Sequence, residues 1–173
     1  HDEKTTTAIV DGRIFLRDSP KQYDLIILDA FTGGRPPFHL MTREFLDIVK
    51  AHLSPKGVAH LNIISAFEGR KGRFLRAVLK TFHQVFGPDH VYVFPKRYDP
   101  NYGPVGSDTE GNNVEVIATN FDTVPNPLPH GEIIRRADEL AQRRRVSIPS
   151  IPIHAAHYRP DQRTRDLSAD PFL

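Results

Sequence analysis

The chain has 173 residues, enough for one domain with a sizeable core and too few for two domains of ordinary size. Its composition, 39% hydrophobic and 25% charged, is that of an ordinary globular protein, and its apolar runs fall far short of the ~20 residues that a membrane span needs. The absence of cysteine excludes disulfides and thiolate sites, and a formal charge of +2 is too small to argue for nucleic acid. We therefore expect a cytoplasmic protein whose segment here contacts no membrane.

The first part of the chain contains two runs that each end at an aspartate. Residues 6–10 are β-branched and apolar and are followed by Asp11-Gly12, a pattern that predicts a strand and a turn. Residues 13–17 are too few to predict a helix. Residues 23–28 form an almost wholly apolar run, typical of a central parallel strand buried on both faces, and this run ends at Asp29.

The middle of the chain alternates helix and strand signals. Residues 30–40 are rich in glycine and proline and predict a loop, after which Thr42 is expected to cap an amphipathic helix. The turn residues 54–57 end that helix. Residues 58–64 then predict a strand, and residues 69–86 predict a second amphipathic helix.

Two further strands are predicted at residues 91–94 and 114–118, separated by a long loop with many turn residues. Residues 133–145 predict a last helix, followed by a proline-containing tail. Strands that alternate with helices favour an α/β fold with a mainly parallel sheet. The link between the last two strands has no helical pattern for a crossover, so that pair is expected to be antiparallel. Ligands of such sheets bind where the strands end.

The sequence IVDGRIFLRDSPKQYDLIILDAF resembles the spermidine synthase family, in which a strand, an Asp-Gly pair, a short helix and a second strand lead to a catalytic aspartate. The continuation PFHLMTREFLDIVKAHLSPKGVAHLNI is similar to the family's next helix and strand, and most of all to its divergent spermidine synthase-like branch. The resemblance covers roughly residues 6–120. It implies the Rossmann-like sheet of S-adenosylmethionine-dependent transferases, with residues 1–125 as the C-terminal part of that domain and 126–173 as its terminal helix and tail.

The resemblance also implies roles for three residues. Asp11 would accept a hydrogen bond from the adenine amino group of decarboxylated S-adenosylmethionine, and Gly12 would allow its close approach. Asp29 would face the reacting amine, help to remove its proton and stabilise the positive charge that develops on the nitrogen. Because the sulfonium leaves as a neutral thioether, no metal and no permanently bound cofactor are expected.

The chain departs from the family pattern after Asp29. Standard members have a second aspartate there that helps to hold the diamine, whereas residues 32–35 read TGGR in this chain, and Arg35 would repel a dication. The family's glutamine on the next strand has Asn62 as its nearest polar counterpart. A different amine, or a lost reaction, is therefore an alternative to polyamine transfer.

The glycine-rich turn and the acidic ribose-binding residue of the family have no counterpart in this chain. The family's sheet order places the two strands that carry them between the strand of Asp11 and the strand of Asp29, so we expect both strands to be missing here. The chain starts at His1 and has its only methionine at Met41, and we expect it to be a piece of a longer polypeptide that supplies them.

Simpler interpretations compete with the functional ones. Asp11 or Asp29 alone would be an ordinary turn or strand-end residue, and it is their joint spacing that favours a site. His39 is expected to be structural, and His154 and His157 lack a third ligand for a metal.

Three functions stay open. They are aminopropyl transfer from decarboxylated S-adenosylmethionine to a polyamine, another S-adenosylmethionine-dependent transfer such as methylation, and a non-catalytic binding module. The expected partners are small polyamine and nucleoside substrates, with a homodimer left open.

Overall fold

The computed structural model describes residues 5–33, 36–95, 98–99, 103–104 and 111–144. The described strands are β1 (Tyr23–Leu28), β2 (Leu53–Ser65), β3 (Val91–Pro95), β4 (Tyr98–Asp99), β5 (Gly103–Pro104) and β6 (Asn112–Thr119). The described helices are α1 (Gly12–Arg17), α2 (Arg43–Ala51), α3 (Arg73–Phe86) and α4 (His130–Arg144), with short 3-10 turns at Phe38–Leu40, Arg70–Gly72 and Pro88–His90.

Four strands form one sheet in the order β1-β2-β6-β3, while β4 and β5 pair separately as a small antiparallel ladder. β1 and β2 are parallel, and β6 is antiparallel to both of its neighbours. Three strands of the sheet therefore run in one direction and β6 in the other. The prediction of a mainly parallel α/β sheet with an antiparallel last pair is confirmed, because the connection from β3 to β6 returns without a crossover helix.

The predicted strand at residues 6–10 is wrong. The structure has no strand there, and Ile9 is completely exposed. A strand persists only where a neighbour satisfies its backbone groups, and no described strand lies beside this run. Residues 6–10 therefore have the composition of a strand but no described strand to pair with.

A helix forms directly after this run, in a segment that is too short for the sequence alone to predict one. Asp11 is its N-cap, since its Oδ1 accepts hydrogen bonds from the backbone N–H groups of Arg13 at 3.0 Å and Ile14 at 3.1 Å. The helix buries Leu16 against the rest of the chain. Two satisfied N–H groups and one buried side chain explain why six residues are helical here.

Helices α2 and α3 cover one face of the sheet and form the core with it. The fully buried side chains include Phe45, Leu46 and Val49 from the first helix, Leu75, Leu79 and Phe82 from the second, and Leu61, Ile63 and Val116 from the strands. Each contributes roughly 1.5–3 kcal/mol relative to exposure. Thr42 caps α2 as predicted, because its Oγ1 accepts the N–H of Phe45 at 3.3 Å.

The boundaries of β2 and α3 differ from the predictions. Tyr23 pairs with Leu53, and Leu25 pairs with Val58, so an advance of two residues along β1 corresponds to five residues along β2. The predicted turn at residues 54–57 is therefore a bulge within the strand. α3 begins later than predicted because the residues before it form a 3-10 turn.

The opposite face of the sheet carries exposed apolar side chains. Leu25 and Ile27 of β1 are 54% and 56% exposed, and Ile64 of β2 is 47% exposed. β1 is also an edge strand here, although its apolar run is typical of a central one. Within the described ranges, none of the helices combines the length and the apolar character needed to cross a membrane.

Candidate functional site

Asp29 follows β1 at the carboxyl end of the sheet. Leu28 is level with Leu61 of β2, and the next residue of β2, Asn62, donates a hydrogen bond from Nδ2 to Asp29 Oδ1 at 3.1 Å. The carboxylate itself is exposed. The structure thus brings together the predicted catalytic residue and the polar residue expected on the neighbouring strand, and it leaves one carboxylate oxygen of Asp29 available to a substrate N–H.

The amide of Asn62 is only half satisfied. Its Oδ1 is buried and accepts no hydrogen bond from the part of the chain that the structure describes. A buried acceptor without a partner costs about 1–3 kcal/mol. This cost is tolerated where a polar side chain serves to orient another group, which is the position of Asn62 beside Asp29.

Asp11 and Gly12 lie at the start of α1. The second carboxylate oxygen of Asp11, Oδ2, is 3.0 Å from Nε2 of His39, so this histidine of the loop after β1 contacts the predicted nucleoside residue. Hydrogen bonds from the backbone N–H of Ile14 and from His39 hold the pKa of Asp11 below its usual value. Asp11 is therefore ionised and engaged by its own helix and by His39.

A groove of about 440 Å³ connects the two ends of this region. Gly12 and Asp29 both line it, together with the apolar side chains of Phe15, Leu25 and Ile27. It runs along the free edge of β1. A mostly apolar groove of this size that contains one carboxylate is within the usual range for a small-molecule site.

A second polar pair lies on the same open face of the sheet. His60 precedes Asn62 by two residues on β2, so both side chains point the same way, and its Nε2 is hydrogen-bonded to Oε2 of Glu115 on β6. This hydrogen bond, together with the charges of Glu115 and Asp29, raises the pKa of His60 against the opposing effect of its partial burial. A line of polar groups therefore crosses an otherwise apolar face towards Asp29.

Sequence reasoning missed this pair. The available signal was the alternation of His60 and Asn62 with the apolar residues of β2, which marks a polar face of the strand. Across the described ranges, no three histidine or acidic side chains are grouped closely enough to hold a metal ion. His154 and His157 lie outside the described residues.

The same fold occurs in a solved structure. The chain superposes on a probable spermidine synthase from Corynebacterium glutamicum with a TM-score of 0.58 and 23% identity, over 78% of this chain and 44% of that one. In sequence, a probable polyamine aminopropyl transferase of Bifidobacterium longum is 36% identical over 77 residues, which are 44% of this chain and 17% of the relative. Over these parts the chain is similar in sequence to a polyamine aminopropyl transferase and shares the fold of a spermidine synthase.

Another relative in this comparison matches a larger part of the chain. An N-terminal histidine N-methyltransferase of Emericella nidulans is 43% identical over 166 residues, which are 90% of this chain and 27% of that protein. No protein-family model matches the chain. The chain thus spans about a quarter or less of the length of these two relatives.

Proposed function

We propose that the chain is part of a transferase that moves the methyl group of S-adenosylmethionine to a nitrogen atom of its acceptor. The observation that carries this proposal is the extent of the similarity to the N-terminal histidine N-methyltransferase, which includes 90% of the chain. The similarity to the probable aminopropyl transferase of Bifidobacterium longum includes 44% of the chain. Similarity that continues through most of the chain supports a shared reaction better than similarity limited to half of it.

Asp29 suits the chemistry of such a transfer. The nitrogen lone pair forms a bond to the methyl carbon while the carbon–sulfur bond breaks, and the electrons of that bond stay on sulfur as a neutral thioether. The nitrogen becomes positive and must lose a proton, or share that charge through a neighbouring N–H. The Asp29 carboxylate, held by Asn62, can accept this hydrogen bond and then the proton.

The charges after Asp29 favour an acceptor that is not a polyamine. The sequence from Ala30 to Arg43 contains no Asp or Glu, and it includes Arg35. A diamine is a dication at neutral pH and needs carboxylates at both ends. A large fraction of imidazole is neutral at this pH, so an imidazole acceptor needs only one carboxylate, that of Asp29.

Aminopropyl transfer from decarboxylated S-adenosylmethionine to a polyamine is the second candidate. Its support is the spacing of Asp11 and Asp29 and the similarity to relatives named polyamine aminopropyltransferases. In either reaction Asp11 and Gly12 would contact the adenosyl group. For this, His39 would have to share the Asp11 carboxylate with the adenine amino group.

The two reactions are separated by supplying both donors to the polypeptide that carries this chain. We expect transfer of labelled methyl from S-adenosylmethionine to a peptide that begins with histidine, and no aminopropyl transfer from the decarboxylated donor to a diamine. Aminopropyl transfer without methyl transfer would establish the second candidate instead. Transfer from neither donor would leave only the non-catalytic module.

The role of Asp29 is tested in the same assay. Asp29→Asn keeps the size of the side chain and its hydrogen bond partner Asn62 but removes the base, so we expect methyl transfer to fall about a hundredfold or more with donor binding retained. Donor binding is measured by calorimetry. Unchanged turnover would remove Asp29 from the mechanism.

The remaining expectations about partners and location stay predictions. They are a cytoplasmic location and the absence of a nucleic-acid partner, together with the homodimer that the sequence leaves open. The exposed edge of β1 bears on the last of these.

A further inference from the structure

A second pocket opens at the same edge of the sheet, beyond the end of β2. It has a volume of about 750 Å³ and is lined by Phe38, Ile64, Arg70, Lys71, Arg73 and Phe74, among others. Ile64 follows Asn62 by two residues on the same face of β2, a separation of about 7 Å along the strand. The pocket therefore begins one short step from the Asp29–Asn62 pair.

The polar lining of this pocket is cationic. Arg70, Lys71 and Arg73 are exposed, and no acidic side chain is among the described residues that line the pocket. None of the three cations has an ion pair with the described carboxylates. The first turn of α3 also starts here, with Gly72 as its N-cap, so the positive end of the helix dipole lies beside these cations.

A cluster of basic residues is most often a solvated surface. The concave shape and the apolar lining therefore decide whether these cations form a binding pocket. Lys80, on the same helix, is an example of a solvated cation. At the pocket, by contrast, the cations surround a concave space whose other wall contains Phe38, which is 81% exposed, and Ile64. Aromatic surface beside guanidinium groups in a cavity suits a ligand that has both an apolar part and an anionic part.

We propose that this pocket binds a carboxylate of the acceptor molecule whose nitrogen lies at Asp29. The inference rests on the proposed function, because only a transferase has an acceptor. The preference of the pocket for a negatively charged ligand can be measured by binding alone, without turnover. An extended peptide advances about 3.3–3.6 Å per residue. An acidic side chain two or three residues after the reacting residue would therefore reach the pocket, as would the carboxylate of a free amino acid with an extended pose.

The test is calorimetric titration of the polypeptide with three peptides that begin with histidine and carry Glu, Gln or Lys at the third and fourth positions. We expect the Glu peptide to bind about tenfold more tightly than the Gln peptide and the Lys peptide to bind most weakly, with the differences shrinking as salt is added. Free histidine is titrated in parallel. If free histidine binds, and if this binding is lost when the cations of the pocket are replaced, the free amino acid is the source of the carboxylate.

The pocket variant is R70Q/K71Q/R73Q, and the matched control is K21Q/K56Q/K80Q, which removes the same charge from exposed lysines that do not line the pocket. We expect the preference for Glu over Gln to disappear in the first and to persist in the second. Equal loss in both variants, or no preference in the unmodified protein, would overturn the proposal. Displacement of the Glu peptide by inorganic phosphate at a lower concentration than by acetate would overturn the assignment to a carboxylate.

Failure of this inference is distinguishable from failure of the proposed function. Methyl transfer that is equally fast to the Glu and Gln peptides, with equal binding, removes the pocket from recognition but keeps the reaction. A preference for the Glu peptide in binding, without methyl transfer to any peptide, keeps the pocket and removes the reaction. D29N should retain the preference in binding, since Asp29 is outside the pocket.

Discussion

Asn62 orients the carboxylate of Asp29 at a cost in stability, because its own Oδ1 is buried without a described partner. Replacing it by leucine, a side chain of similar size, removes both the hydrogen bond and the unsatisfied acceptor. We expect the free energy of unfolding of Asn62→Leu to stay equal or to rise by about 1 kcal/mol, while turnover falls. Urea unfolding and the transfer assay together check this. A variant that loses stability in step with activity would show that Asn62 is structural.

His60 links stability to pH. Its pKa is raised in the folded state, chiefly by the hydrogen bond to Glu115, so the stabilisation is fully present below the unfolded pKa and is lost as pH rises through the folded pKa. The loss therefore begins above the ordinary histidine value of 6.5. We expect the stability difference between the wild type and His60→Gln to shrink as the pH rises above 6.5 in urea unfolding series. In a Glu115→Gln background the same substitution should show little dependence on pH.

At the scale of elements, the cap of α2 is a local feature with a measurable contribution. Thr42→Ala removes the acceptor for the N–H of Phe45 and should lower the free energy of unfolding by about 1 kcal/mol. Thr42→Asn supplies another acceptor and should restore most of that loss. If alanine and asparagine behave alike, the hydrogen bond at this position does not contribute to stability.

Local patterns such as this cap were predictable from the sequence, and so were the apolar run of β1 and the helical spacing of α2 and α3. The sequence did not predict which strands lie next to one another in the sheet. Residues 6–10 have a strand's composition but no strand beside them, and the pair of His60 and Glu115 joins residues 55 positions apart that only the register of β2 with β6 brings together. The fold class followed from the alternation of elements. The contacts around Asp29 depended on which strands are neighbours.

For the whole molecule, the free edge of β1 is the main conflict between sequence and structure. An apolar run suited to a central strand lies at an edge of the sheet, where no described strand pairs with its outer side, and Leu25 and Ile27 are more than half exposed. Such an edge is a template for pairing with another strand. We therefore expect the 173-residue chain, prepared alone, to self-associate through β1.

Ile27→Lys tests this expectation, because a lysine in an edge strand opposes pairing with a second copy. Sedimentation should show the wild-type chain shifting to larger species as its concentration rises and the variant remaining monomeric at the same concentrations. Val124→Lys is the matched control, since Val124 is 81% exposed but lies outside the sheet. If both lysine variants are monomeric, added charge explains the effect. If only Ile27→Lys is monomeric, the edge of β1 is the surface through which the chain associates.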